Sequence, residues 1–167
     1  GSGEQLKENE FGFAIYRYKY DENGNEIERR LYGTDEQLKE NEYGIAIYRW
    51  KYDENGNMIE KSFCGSGEQL KENEFGFAIY RWKYDANGNE IEQSNYGTDE
   101  QLKGNDDDGI AIFQYKYNDK INKIETNFYG DEENLMFTYK YRYDINGKNT
   151  KTIKYNKLGE KIYEWDN

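Results

Sequence analysis

The sequence has no histidine, no proline and a single cysteine among its 167 residues. Without histidine the chain lacks the commonest general base, any Ser–His or Cys–His nucleophile pair and the usual transition-metal ligand. One cysteine, Cys64, allows no internal disulfide framework and leaves the redox compartment undetermined. No apolar run is long enough to span a bilayer, and no secretory leader is recognisable. Positive charge is scarce: 23 Lys and Arg stand against 34 Asp and Glu, a net charge of −11. Residues 130–167 are balanced, with seven of each sign, so the excess lies in 1–129. An acidic body disfavours nucleic-acid phosphates and anionic membranes, where Lys and Arg supply affinity by counterion release. The first residue is Gly, as in a processed or excised piece or an expression scar, although GSGEQL recurs at 65–70.

Hydrophobic residues make up only 35% of the chain, and its mean hydropathy of −1.27 alone would suggest disorder. The 17% aromatic content, with 18 tyrosines, argues for a folded chain instead. Rings supply a large buried area per residue. Burial by rings with polar tips points to thin layers rather than one thick core.

The chain repeats itself. Residues 1–32 return at 33–64 and 65–96, a looser copy occupies 97–129, and a degenerate tail fills 130–167. A fixed period of this size means one supersecondary module stacked on its neighbours. Copies one and three share 27 of 32 positions and copies one and two share 22, so the recent unit of duplication is 64 residues. The tail is expected to cap the array, since terminal repeats must cover an exposed edge.

Within a copy, residues 13–20 alternate β-branched and aromatic residues in the manner of a strand. Phe13, Ile15, Arg17 and Lys19 fall on one face; Ala14, Tyr16, Tyr18 and Tyr20 fall on the other. Asp21 to Asn25 suits a three-residue hairpin loop, a type I turn closed by glycine at positive φ. The chain then returns extended over 26–32. With Asp21 opposite Asn25, the implied register sets Lys19 against Ile27, Tyr18 against Glu28, Arg17 against Arg29 and Ile15 against Leu31. Copies two and three repeat the turn at Asp53–Asn57 and Asp85–Asn89. The segment 33–42 (GTDEQLKENE) reads as two turns flanking a short strand around Gln37–Lys39, with helix the competing reading. Copy four carries an insertion at 105–109 and a turn at 118–122 that has lost its glycine.

KYDENGN at 19–25 and 51–57, KYDANGN at 83–89 and RYDINGK at 142–148 resemble the YD repeats of Rhs-type and related bacterial proteins. Similar turns occur in cell-wall-binding and WG-type repeats, but the period here is longer and the Gly-Trp opening of the former is missing. The YD resemblance implies an antiparallel β array serving as shell, spacer or adhesive surface of a bacterial secreted or surface protein, extracellular or at the cell surface, with no catalysis of its own.

Candidate chemistry is sparse. Paired carboxylates serve glycosidases only where two acids sit in unlike environments of one cleft, and here the acids recur at equivalent positions; no enzyme is expected. The Asp-x-Asn-Gly-Asn turn differs from a calcium loop, whose glycine is sixth and bidentate Glu twelfth. Side-chain hydrogen bonds within the turn account for it, and no metal or cofactor is expected there or at Asp106–Asp108. Cys64 stands where other copies have Tyr32, Tyr96 and Tyr129, a drifted aromatic position. The binding candidate is an aromatic ladder of Tyr18, Trp50, Trp82 and Tyr115, with Tyr16, Tyr48, Tyr80 and Phe113 beside it and Arg17, Arg49 and Arg81 adding hydrogen bonds. The competing reading makes these rings the core between stacked layers.

The expectation is therefore an all-β, elongated array of antiparallel hairpins, solenoid-like or a single twisted sheet, with about 32 residues per repeat. Its expected role is non-catalytic: scaffold, adhesion or protein–protein contact, with a protein or glycan partner or self-association through exposed sheet edges. Neither nucleic-acid binding nor membrane insertion is expected. A carbohydrate or cell-wall-binding module using the ladder is one alternative, and an acidic inhibitor or immunity-type protein binding a basic partner is another.

Overall fold

A computed structural model describes residues 6–167; the opening GSGEQ of the first copy lies outside the described residues. There is no helix among them. Eleven strands, β1 (Ile15–Tyr20), β2 (Glu26–Tyr32), β3 (Ile47–Tyr52), β4 (Met58–Cys64), β5 (Ile79–Tyr84), β6 (Glu90–Tyr96), β7 (Ile112–Tyr117), β8 (Lys123–Tyr129), β9 (Leu135–Tyr143), β10 (Asn149–Asn156) and β11 (Lys161–Asp166), follow one another in chain order through one open sheet. Two compact units are distinguished: Gly1–Tyr80 with Gly97–Glu100, and Arg81–Tyr96 with Gln101–Asn167.

The hairpin turn forms as its residues dictate. Asp21 N–H donates to the Asn25 carbonyl at 2.9 Å, and Gly24, at φ +86°, donates to the Asp21 carbonyl at 3.1 Å. Only glycine adopts that φ without a Cβ clash. The Asp21 carboxylate accepts from Asn23 N (2.9 Å), Asn25 N (2.8 Å) and Asn25 Nδ2 (2.9 Å). These bonds hold its pKa below the ordinary value. Its carboxylate oxygens accept from the turn's own N–H groups.

The strand register differs from the sequence expectation by one residue. Tyr20 faces Glu26, but a bulge between Lys19 and Tyr20 leaves Ile27 out, so Lys19 faces Glu28, Tyr18 faces Arg29, Arg17 faces Arg30 and Ile15 faces Tyr32. A G1-type turn carries such an extra residue on one strand. The shift sets Lys19 against an opposite charge, with Nζ 2.7 Å from the Glu28 carboxylate. The strand also starts at Ile15 rather than at 13, because the Phe13 carbonyl accepts from Asn9 N in the preceding turn.

The 33–42 segment forms two turns about a single bridge, with no helix. Gly33 N donates to the Gln37 carbonyl (3.0 Å), Leu38 bridges to Tyr32, and Asn41 N donates to the Ile45 carbonyl (2.9 Å). Glu36 takes the left-handed position of the first turn at φ +59°, as do Glu68, Glu100 and Glu133 in theirs. These connections bring Leu38 and Leu70 against Ala46, Ile47 and Cys64, the buried cluster of the first unit. Complete burial of Ile47 contributes roughly 1.5–3 kcal/mol.

In the second unit the apolar centre is aromatic. Phe128 stacks on Phe137 at 4.4 Å and meets Phe113 (5.4 Å) and Tyr139 (5.2 Å) edge-on. The insertion of copy four is accommodated by a wider turn, where Asn105 N reaches the Ile110 carbonyl at 3.2 Å. A Cβ on Gly104 would lie 2.3 Å from the Gly109 carbonyl oxygen. Glycine is therefore required where the other copies carry Glu8, Glu40 and Glu72.

Successive modules are offset along the strands. Arg29 lies opposite both Tyr18 and Tyr48, and Tyr48 is the counterpart of Tyr16, so the step from the first module to the second slips by two residues. Equivalent rings stand on neighbouring diagonals and not in one straight row.

Candidate functional site

One sheet face carries the rings. Tyr16, Tyr18 and Tyr20 stack along β1 with centroids 6.5 and 6.4 Å apart, and Tyr48 stacks on Trp50 at 6.1 Å along β3. Tyr18 is exposed, whereas Trp50, Trp82 and Tyr115 are half-buried. The rings form neither a dry core nor an open platform, because even-numbered strands place cations over them. The Arg29 guanidinium lies 5.3 Å from the Tyr18 centroid and 5.4 Å from that of Trp50, steered by the Glu26 carboxylate at 2.8 and 3.1 Å. Lys61 Nζ sits 5.1 Å from Phe63 and 6.0 Å from Trp50. In the second unit Lys123 lies 3.6 Å over Tyr115, and Lys154 lies 4.0 Å over Phe137. Burial lowers the pKa of Lys61 and Lys123 and raises that of Tyr115. Each such cation–ring contact is worth roughly 0.5–2 kcal/mol, more as water is excluded.

The tyrosine hydroxyls have structural partners. Asn9, Asn41 and Asn73 close their own turns and also donate through Nδ2 to Tyr16, Tyr48 and Tyr80 at 3.0, 3.3 and 2.9 Å. Tyrosines that open later turns reach the preceding hairpin: Tyr52 and Tyr143, of Tyr-Asp pairs, donate to the carbonyls of Glu26 (3.2 Å) and Lys123 (2.7 Å), and Tyr117, followed by Asn118, donates to that of Glu90 (2.7 Å). Asp closes a module's own turn while Tyr ties that module to the one before. Tyr20 lies on β1, the first strand, and is 58% exposed.

Arg17, Arg49 and Arg81 are not beside the ladder. They project from the opposite face, as the strand alternation dictates, so the proposed hydrogen-bonding cluster divides in two. Arg17 stacks over Tyr32 and Arg81 over Tyr96, each at 4.5 Å. Arg49 meets Cys64 instead, Nη1 to Sγ at 3.6 Å, and reaches Glu28 (3.1 Å) and Glu68 (2.6 Å). Cys64 is 2% exposed, and burial raises its thiol pKa.

This second face holds a row of half-buried or buried carboxylates that sequence reasoning missed. Glu28 pairs with Lys19, Arg30 and Arg49; Glu60 with Lys51; Glu92 with Lys83 and Gln114; Glu125 with Lys116 and Lys140. Its signal was the constant spacing of nine residues between the Lys of each Lys-Tyr-Asp or Lys-Tyr-Asn step and the Glu that follows the Ile of the next strand, hidden by the bulge in register. Also unforeseen are Phe11, Tyr43 and Phe75, exposed by 70, 41 and 63% at the loop tips. Between the first two tips lies an open groove of about 500 Å³ lined by Phe11, Phe13, Tyr16, Arg29, Asn41 and Tyr48. Among the described residues no group of three or more Cys, Asp or Glu is placed to hold a metal ion. No helix among them is long and apolar enough to cross a membrane.

No protein-family model matches the sequence, and no curated protein is similar to it by sequence. The fold is similar to parts of three crystal structures. TcdB2-TccC3-TEV aligns with a TM-score of 0.61 and 16% identity over 92% of this chain. TcdB2-TccC3-Cdc42 and TcdB2-TccC3 align with TM-scores of 0.53 and 0.52, each at 17% identity over 91% of it. The chain spans only 7–9% of those proteins' length. At these identities the likeness is one of fold alone.

Proposed function

We propose that the chain is a non-catalytic scaffold, a run of YD-type hairpins as in Rhs-like proteins that forms sheet and offers contacts to a protein partner. The observation that carries this reading is the use made of the repeated Tyr-Asp pair. Asp21, Asp53, Asp85 and Asp144 are engaged by their own turns, and Tyr52 and Tyr143 by the preceding hairpin, as is Tyr117 of the Tyr-Asn step in copy four. The motif's polar groups are used in joining modules, with cations of the same chain over the ladder rings. The names of the TcdB2-TccC3 neighbours join several components, in one case with Cdc42, which favours a protein as the partner. A place in a bacterial secreted or surface protein accords with the same resemblance.

A glycan array probed with the wild-type chain and with Trp50→Ala and Trp82→Ala tests this against the sugar-binding alternative. The scaffold reading expects no retained glycan and a loss of stability alone in the variants. Glycan binding that both substitutions abolish would replace the scaffold by a carbohydrate module.

A further inference from the structure

At two steps of the array a phenylalanine on an even-numbered strand bridges rings of successive modules. Phe63 faces Tyr48 across the ladder and meets the rings of Tyr48 at 5.7 Å and Tyr80 at 5.9 Å, both edge-on. In the second unit Phe128 faces Phe113 and meets Phe113 at 5.4 Å and Tyr139 at 5.2 Å in the same way. Leu31 holds this position in module one, opposite Tyr16. No ring bridges Tyr16 to Tyr48 among the described residues. Phe13, where module two has Ile45, meets Tyr16 edge-on at 6.0 Å but has no ring contact with Tyr48. The space left is the groove of about 500 Å³, lined by Leu31 and Phe13 as well as by Tyr16 and Tyr48.

The groove crosses the ring face over β1, β2 and β3, so its opening is that of a sheet face between two paired hairpins and not that of a strand edge. Its floor is apolar, with Leu31 and Phe13 only 3 and 7% exposed. Its rim is acidic. Glu10 and Glu42 line it, both are exposed, and neither is paired with a cation among the described residues. The cation in the lining, Arg29, is already engaged by Glu26. Three carboxylates, Glu10, Glu26 and Glu42, therefore stand against one guanidinium.

We propose that this groove receives an aromatic side chain of a partner protein, flanked in the partner's sequence by Lys or Arg. The ring sits over Leu31 between Tyr16 and Tyr48, and the cations lie beside Glu10 and Glu42. The inference rests on the scaffold reading and names the chemistry of the partner. The ring is what Phe63 supplies from within the chain at the next step, in the edge-on geometry that ring quadrupoles favour. The flanking cations answer the uncompensated carboxylates of the rim. A second copy of the chain fits less well: its exposed tips Phe11 and Phe75 follow Glu10 and Glu74, and like charges would meet at the rim.

The probe is a capped pentapeptide, Gly-Lys-Phe-Lys-Gly, titrated into the full chain and followed by isothermal calorimetry and methyl NMR. One peptide should bind per chain, and its ring should displace the Leu31 methyl resonances while those of Ile153, in the second unit, stay in place. The peptide with Ala for Phe should fail to bind, and the peptide with Glu for Lys should bind at least tenfold more weakly. Phe13→Ile combined with Leu31→Phe gives module one the residues of module two, and should weaken binding at least tenfold. The reverse exchange, Ile45→Phe with Phe63→Leu, should open a second groove and raise the stoichiometry to two. Glu10→Gln and Glu42→Gln should each weaken binding about threefold and lessen its salt dependence. Circular dichroism checks that the sheet persists in the variants; the Leu31 methyl readout needs none of them. No binding, equal binding by the Ala or the Glu peptide, unmoved Leu31 methyls, or full affinity in a folded Phe13→Ile, Leu31→Phe chain would overturn the proposal. Sedimentation showing a dimer without peptide, which that same pair of substitutions abolishes, would overturn it in favour of a second copy. The glycan array reads Trp50 and Trp82, which do not line the groove, so the scaffold reading stands or falls separately.

Discussion

Replacing Glu28 by Gln removes the carboxylate at the centre of the most heavily paired cluster in the first unit. Glu28 is 7% exposed, with Lys19 Nζ and Arg30 Nε each at 2.7 Å and Arg49 Nε at 3.1 Å. The Arg30 guanidinium chiefly holds its pKa at about 2, against an ordinary 4.5, even though burial opposes ionisation. A depressed folded-state pKa contributes stability that is complete above the unfolded value and disappears as pH falls from about 4.5 towards 2. At 1.36 kcal/mol per unit the shift corresponds to about 3 kcal/mol. Arg30 and Arg49 keep Glu68 as a partner, at 2.9 and 2.6 Å, which reduces the expected loss to about 2–3 kcal/mol at pH 7. Urea unfolding followed by tryptophan fluorescence at pH 7, 5 and 3 measures it. The gap between Glu28→Gln and wild type should be full at pH 7, nearly full at pH 5 and less than half at pH 3. A gap below about 0.5 kcal/mol at pH 7, or one unchanged at pH 3, refutes the reasoning.

Other perturbations test the turns and the ties between modules. Ile121 sits at φ +62° where sister turns have glycine, and it is 64% exposed; Ile121→Gly should raise stability by roughly 0.5–1 kcal/mol in urea denaturation, less if glycine's unfolded-state entropy dominates. Gly104→Ala, with its Cβ against the Gly109 carbonyl, should cost at least about 2 kcal/mol in the same assay, and a neutral result would show that the inserted turn yields easily. Tyr52→Phe removes one inter-hairpin hydrogen bond and should cost about 1 kcal/mol, with m unchanged. Cys64, buried with its pKa raised, should react with a disulfide reagent at neutral pH only as fast as the chain opens; complete labelling within seconds in the absence of urea would contradict its placement.

The Tyr18, Trp50, Trp82 and Tyr115 positions were legible as a ring-bearing face because strand alternation is local and strict. Their partners were not. Alternation already turns Arg17 away from Tyr18, but only the bulge at Lys19/Tyr20 sets Arg29 rather than Glu28 across from that ring. One extra residue in a ladder changes every facing pair beyond it, and no side-chain pattern announces it. The carboxylate row went unseen for the same reason, since Glu28 becomes the partner of Lys19 only after Ile27 is skipped.

By itself the amino-acid sequence determined the module, the Asp21–Asn25 turn, the extended runs on either side and the absence of histidine-based chemistry. Each of these depends on backbone preferences or composition within a few residues. Tertiary structure alone decided the slip between neighbouring modules, the cations laid over the rings and the row of paired carboxylates on the other face. Those outcomes arise where separate strands meet, and the register of one strand against another is set by summed contacts that no single segment contains.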